Sequence, residues 1–118
     1  MEYLALIHAD EGAWERLSDE ERDAAYEQYA EFAGAAEAAG VLVGGDELGP
    51  TSSATTVRIR DGRRLVTDGP YAEVKESLGG FFILNCSTYD DALDWAARIP
   101  AAGHGAVEVR PVHVDPEE

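Results

Sequence analysis

The densest run of residues suited to chemistry lies between Thr67 and Gly80: Thr67-Asp68-Gly69-Pro70-Tyr71-Ala72-Glu73-Val74-Lys75-Glu76-Ser77-Leu78-Gly79-Gly80. Asp68-Gly69-Pro70 sets a tight turn, and Glu73, Lys75 and Glu76 follow with only Val74 among them. Lys75 is the one lysine in a chain that otherwise uses arginine. An amine among carboxylates suits proton donation or a charge clamp, because lysine shifts its pKa readily when buried. The run offers acid–base chemistry, with Glu73 or Glu76 as general base, Asp68 or Lys75 as its partner and Tyr71 as a hydroxyl donor. From residue types alone, a solvated turn carrying one surface ion pair of little energetic worth accounts for the run more simply.

Other residue types add to this set. Arg58 lies on a strand pattern, where its guanidinium either anchors the carboxylate of a ligand or pairs internally with Glu47, Asp68 or Glu73. His8 ends the first strand pattern, at a cleft mouth or simply half exposed at a strand end. His104, His113 and the single cysteine, Cys86, match no metal-ligand spacing, so no metal is expected. Cys86 follows an apolar run and reads as an inert buried thiol. No Gly-rich phosphate loop with its Lys-Ser/Thr appears, and no cofactor is expected.

These residues must be positioned by the elements around them. Residues 3–8 read as a strand with apolar side chains on both faces, Leu4 and Leu6 on one, Tyr3, Ala5 and Ile7 on the other. Residues 9–17 read as a polar connection. Ser18 with Glu21 forms a capping box that opens a helix over 18–39. Ala25, Tyr29, Phe32, Ala33 and Ala36 make its apolar face, and Gly40 ends it. Val41–Leu48 is a strand interrupted at Gly44-Gly45, a bulge or a close backbone approach. Residues 55–60 and 63–67 form a hairpin around Asp61-Gly62, with Arg60 opposite Arg63, Arg58 opposite Leu65, and Val57, Ile59 and Val66 on a core-like face. Residues 71–78 are polar and suit a short helical turn, and 81–84 read as a strand apolar on both faces. Ser87 or Thr88 caps a second helix with Leu93, Ala96 and Ala97 facing inward, and Pro100 stops it. Residues 105–114 form the last strand.

The chain has 118 residues, the length of one domain, with ordinary apolar and charged shares. Its net charge is −15, and residues 1–50 alone hold 13 acids against Arg16 and Arg22. A surface this negative repels phosphate backbones, so direct nucleic-acid binding is not expected. No apolar run approaches the ~20 residues of a membrane helix. The first residues begin a strand at once without a basic leader, so a cytoplasmic location is expected.

The element order is that of an α+β chain with the split βαβ, ferredoxin-like pattern and an inserted β-hairpin. Two helices cover one face of such a sheet. Strands 3–7 and 81–84 are apolar on both faces, and a second copy of the same sheet is the simplest cover for the other, so a homodimer is expected. The run from Thr67 to Glu76, followed by Gly79-Gly80-Phe81, resembles the signature of the DGPF group of YCII-related proteins, with Tyr71 where that motif has phenylalanine. The resemblance continues at Gly45-Asp46-Glu47-Leu48, Ala54–Arg58, Ala96–Pro100 and Val107–Pro111. It implies a dimeric α+β barrel. It also implies kinship with small enzymes that use a histidine–aspartate pair on small cyclic compounds, but helix 18–39 has no histidine and offers Tyr26, Glu27 and Tyr29 instead. Some members carry a transcription-initiation label through sigma-factor association.

Three functions remain open at this level. One is a small-molecule enzyme with catalytic Asp68, Glu73, Lys75 and Glu76, and with Arg58, Tyr71, Glu47 and His8 holding a small anionic or aromatic ligand. The second is a non-catalytic binding module with the same pocket. The third is a protein-interaction dimer that docks a partner through the basic hairpin 58–64 or the acidic helix face.

Overall fold

The computed structural model describes residues 1–113. Strand β1 spans Glu2–Asp10, followed by a short helix α1 (Glu11–Glu15) and the long helix α2 (Asp19–Ala38). Strand β2 covers Leu42–Glu47, and β3 (Thr55–Arg60) and β4 (Arg63–Asp68) form the hairpin. Strand β5 runs from Glu76 to Asn85, α3 from Tyr89 to Ala96 and β6 from Ala106 to Pro111. The main sheet is antiparallel in the order β2-β5-β1-β6, and β3-β4 is a separate two-stranded ribbon. This is the ferredoxin-like arrangement, with β5 inserted between the two strands that flank α2.

Local chemistry explains the boundaries. The Ser18 hydroxyl accepts from the Glu21 amide at 3.1 Å and the Glu21 carboxylate accepts from the Ser18 amide at 3.0 Å. Two free N–H groups of α2 are thus satisfied reciprocally. The exposed Glu21 carboxyl is held below its usual pKa by these bonds, the Ser18 backbone first. At the other end the Val41 amide donates to the Ala36 carbonyl and the Gly40 amide to the Glu37 carbonyl, with Gly40 at φ 73°. That pair of bonds is a Schellman motif. Thr88 caps α3 by accepting from the Asp91 amide at 3.1 Å. The hairpin turns at Asp61 (φ 53°) and Gly62 (φ 74°). Two successive positive φ values match the right-handed twist of the strands, which is why Asp-Gly occupies the turn.

One face of the sheet carries both long helices. Tyr3, Ala5 and Ile7 of β1 and Leu84 of β5 are buried against Phe32 and Ala36 of α2 and Ala92 and Ala96 of α3. The Phe32 ring packs 5.0 Å from Phe82 and 6.3 Å from Trp95, centroid to centroid. The strand interruption at Gly44-Gly45 is both a register shift and a close approach: a Cβ on Gly45 would collide with the Phe81 carbonyl oxygen and with a ring carbon of Phe82. The opposite face, with Leu4, Leu6, Phe81 and Ile83, is half-buried and carries no helix.

Several expectations change. Residues 11–15 are helical because Asp10 accepts from the Gly12 amide at 2.9 Å and starts a turn. Residues 76–78 are strand, not a helical turn: β5 begins at Glu76 because β1 continues to Asp10 and offers it a partner. Ala92, Ala96 and Trp95 form the inner face of α3, while Leu93 is 40% exposed. The hairpin has the expected register, but Val57, Ile59 and Val66 are exposed, because no other strand lies beside it. The end of the last strand pattern, Val114, lies outside the described residues.

Removing the capping hydroxyl in Ser18→Ala is expected to cost about 1 kcal/mol, and Leu84→Ala about 2–5 kcal/mol through the cavity it leaves. Chemical denaturation checks both, with Leu84→Ala the larger loss.

Candidate functional site

The end of the sheet where β1 and β2 finish and β5 begins gathers the polar groups. Register places Ala9 opposite Ser77, Asp10 opposite Glu76 and Glu47 opposite Gly80. The loop after β2 is pinned there by Glu11. Its carboxylate accepts from the Thr51 amide and the Thr51 hydroxyl, both at 2.7 Å. Two charge-assisted bonds from one carboxylate fix both distance and orientation. Arg22 joins α1 to α2 by donating to the Trp14 carbonyl at 3.3 Å and the Glu15 carbonyl at 2.8 Å. The Trp14 carbonyl also accepts from the Leu17 amide at 3.1 Å, so Arg22 adds a second bond there and gives the Glu15 carbonyl a partner.

Between the Thr51–Ser52 turn and the 69–77 segment lies a depression of about 290 Å³. Thr51, Ser52, Glu73 and Ser77 are the polar residues that line it, and Pro70, Ala72 and Val74 the apolar ones. Ser77 is buried, whereas Glu73 is exposed. On the helix side of the same sheet end, the Tyr26 hydroxyl donates to Glu47 Oε1 at 3.2 Å, with the Trp14 ring edge-on at 5.3 Å. Partial removal from water, then the Glu47 carboxylate, holds the Tyr26 phenol above the ordinary tyrosine pKa. Burial raises the Tyr29 phenol too, with the Ala101 backbone partly offsetting it. A phenol so placed keeps its proton at neutral pH and serves as a hydrogen-bond donor or acid.

The residues singled out from the sequence separate into groups. Glu73 lines the depression. Asp68 closes the hairpin opposite Thr55, and Lys75 and Glu76 lie in water at the entry to β5; all three are exposed. Among the described residues no ion pair joins Asp68, Glu73, Lys75 or Glu76. Arg58 pairs with neither Glu47, Asp68 nor Glu73; its guanidinium lies 5.6 Å above the Tyr71 ring, a cation–π contact on an exposed surface. Glu47 accepts from Tyr26. His8 is half-buried on the helix-free face, its Nε2 3.1 Å from Glu108 Oε1. Cys86 is buried, and burial, followed by the Asp91 charge, pushes its thiol up, which disfavours the reactive thiolate. Among the described residues no cluster of three or more His, Cys, Asp or Glu is spaced to hold a metal ion. No helix is long and apolar enough to cross a membrane.

Sequence reasoning missed Glu11, and it named Tyr26 and Glu47 without pairing them. The Asp10-Glu11-Gly12 start of α1 was the local signal for the first. The second pair is 21 residues apart and meets only through the fold.

Because both phenols are raised, folding stability conferred by Tyr26 and Tyr29 is present below the unfolded value of about 10 and is lost as pH rises through the folded values. Ultraviolet titration should show late-ionising tyrosine absorbance that shrinks in Tyr26→Phe and in Tyr29→Phe, while the unfolding midpoint falls more steeply above pH ~10 in wild type than in Tyr29→Phe.

The chain resembles known proteins along its length. A protein of Rhizobium meliloti (strain 1021), described as uncharacterized protein R00369, is 39% identical over 121 residues, covering 95% of this chain and 92% of that protein. Residues 1–114 match the YCII-related domain. With the ferredoxin-like sheet and the likeness to that relative, this match shows that the chain belongs to the YCII-related domain family.

Proposed function

We propose that this protein binds a small polar molecule and works as a homodimer. The observation that carries the reading is the depression beside Thr51, Ser52, Glu73 and Ser77. Its volume, about 290 Å³, sits at the lower bound for ligand sites, so the ligand is metabolite-sized. With Glu73 and the hydroxyl residues Thr51, Ser52 and Ser77 beside apolar Pro70, Ala72 and Val74, and with the Thr51 proton already given to Glu11, the lining favours a ligand with hydrogen-bond donors of its own. An anionic ligand would instead need Arg58, whose guanidinium lies over Tyr71. The Glu11 clamp on Thr51 supports the reading because it holds one wall in place before any ligand arrives. The dimer follows from the helix-free face: Leu4, Leu6, Phe81 and Ile83 form an apolar patch that a second sheet covers in a dimeric α+β barrel.

A second reading, a proton-transfer enzyme, is favoured by the Tyr26–Glu47 pair, a carboxylate within hydrogen-bond reach of a phenol at the same sheet end. In that case the Tyr26 hydroxyl is the acid and Glu47 orients it.

A thermal-shift screen separates the two. Amine, hydroxylated, anionic and aromatic metabolites are tested on wild type, Glu73→Ala, Glu73→Gln and Tyr26→Phe. A ligand at about 100 times its Kd stabilises the protein by about 2.7 kcal/mol. The binding reading expects that shift to survive in Tyr26→Phe and to fall by most of its size when Glu73 is replaced by Ala, with Glu73→Gln retaining part of it. Turnover of the hit that disappears in Tyr26→Phe while binding persists would establish the enzyme instead. A hit unaffected by any change at Glu73 would remove the ligand from this depression.

A further inference from the structure

The β3–β4 hairpin is built as though its surroundings were missing. A two-stranded ribbon is marginal in water unless a third strand or a helix packs on it, and this one joins no other strand. Val57, Ile59 and Val66 share one face and are 56%, 60% and 52% exposed, with Leu65 on the other face 44% exposed. The molecule measures 50 × 47 × 17 Å, and its radius of gyration is 16.4 Å, against about 13.5 Å for a compact chain of this length. The hairpin is therefore an arm that stands off the body.

Its charge points to what covers it. Residues 55–68 carry Arg58, Arg60, Arg63 and Arg64 against Asp61 and Asp68, a net of +2 in a chain of net −15, which leaves −17 on the rest. Among the described residues none of the four arginines forms an ion pair with a carboxylate. Two such arms repel each other, so arm against arm is disfavoured, and a polyanion is repelled by the body that bears the arm. A second copy of this chain offers what the arm lacks. Beside the patch that the second sheet covers, Glu108 stands opposite Leu6 and Asp46 opposite Phe81, so an arm reaching past the sheet-on-sheet contact meets carboxylates at its border. A two-fold axis makes every arm–body contact occur twice, so the attraction is doubled at no cost in new surface.

We propose that the β3–β4 hairpin is an exchanged arm: in the homodimer each arm lies on the acidic body of the second copy, with the Val57/Ile59/Val66 stripe covered and Arg64, which stands opposite Ile59 on that same face, turned to the partner's carboxylates. The inference rests on the homodimer reading and adds which segment crosses between copies.

Light scattering with size exclusion, together with limited trypsin digestion, tests it on the intact chain. Trypsin cuts after Arg60, Arg63 and Arg64 when the arm is free. Wild type is expected at twice the chain mass, with the arm protected, and dilution should release dimer and protection together. Ile59→Glu/Val66→Glu and Arg64→Glu change side chains exposed in the single chain, so circular dichroism should be unchanged. Each should weaken dimerisation by at least about tenfold, since like charges across an interface cost several kcal/mol. A wild-type dimer whose arm is cut as fast as a free peptide, and whose affinity neither variant alters, overturns the exchange but leaves the dimer standing. A wild type that is monomeric at every concentration overturns both. A monomer whose arm becomes protected only with an unrelated acidic protein assigns the arm to that partner and overturns the exchange.

Discussion

The antiparallel pairing of β1 with β5 is the constraint on which the rest depends. Both are interior strands, with β6 beyond one and β2 beyond the other. Strand side chains alternate, so the pairing that puts Tyr3 opposite Leu84 and Ala5 opposite Phe82 under the helices also puts Leu4 opposite Ile83 and Leu6 opposite Phe81 on the helix-free face. A slip of one residue would exchange the two faces. The core and the uncovered apolar patch are therefore consequences of one register. A register shift between Ile7 and His8 adds a residue to β5 near Gly79. Bulges of this sort re-aim the residues beyond them, and here they lead Ser77 and Glu76 to the polar sheet end.

That sheet end is organised by bonds from charged side chains to backbone groups, with one loose ion pair, Arg16–Asp10 at 3.9 Å, beside them. Glu11 holds the Thr51 amide, and Arg22 holds the Trp14 and Glu15 carbonyls. Such bonds are stronger than neutral ones and satisfy groups that short helices and loops would otherwise leave to water. The acids of the 68–76 segment are placed differently. They stand in solvent, where a carboxylate costs nothing to keep charged, and only Glu73 reaches the depression. The contrast separates the residues that build the site from those that surround it.

The hairpin shows how a turn can be certain while the fate of its strands is not. Asp61-Gly62 specifies the reversal, and the register follows from it. Nothing local says what covers the apolar stripe. The proposed exchange gives the stripe and the four arginines a common explanation, because a long-range charge difference between arm and body acts on the assembly and not on the single chain.

Sequence alone determined the elements whose signals are local. The Ser18–Glu21 box, the Gly40 stop and the Asp61-Gly62 turn each depend on residues within four positions of one another and stand where their spacing puts them, and of the two caps the sequence offered for α3, Ser87 and Thr88, the structure uses Thr88. The element order, and with it the ferredoxin-like class, follows from the same punctuation. Tertiary structure decided what long separations control. Residues 76–78 became strand because β1 reached Asp10 to pair with them, and the Val57 face stayed in water because no strand came beside it. Tyr26 met Glu47, and Glu11 met Thr51 across 40 residues, only once α1, α2 and β2 had packed on the sheet. A side chain's type and spacing set what it can bond to within one or two turns; which distant group stands there is decided by the packing that brings the two elements together.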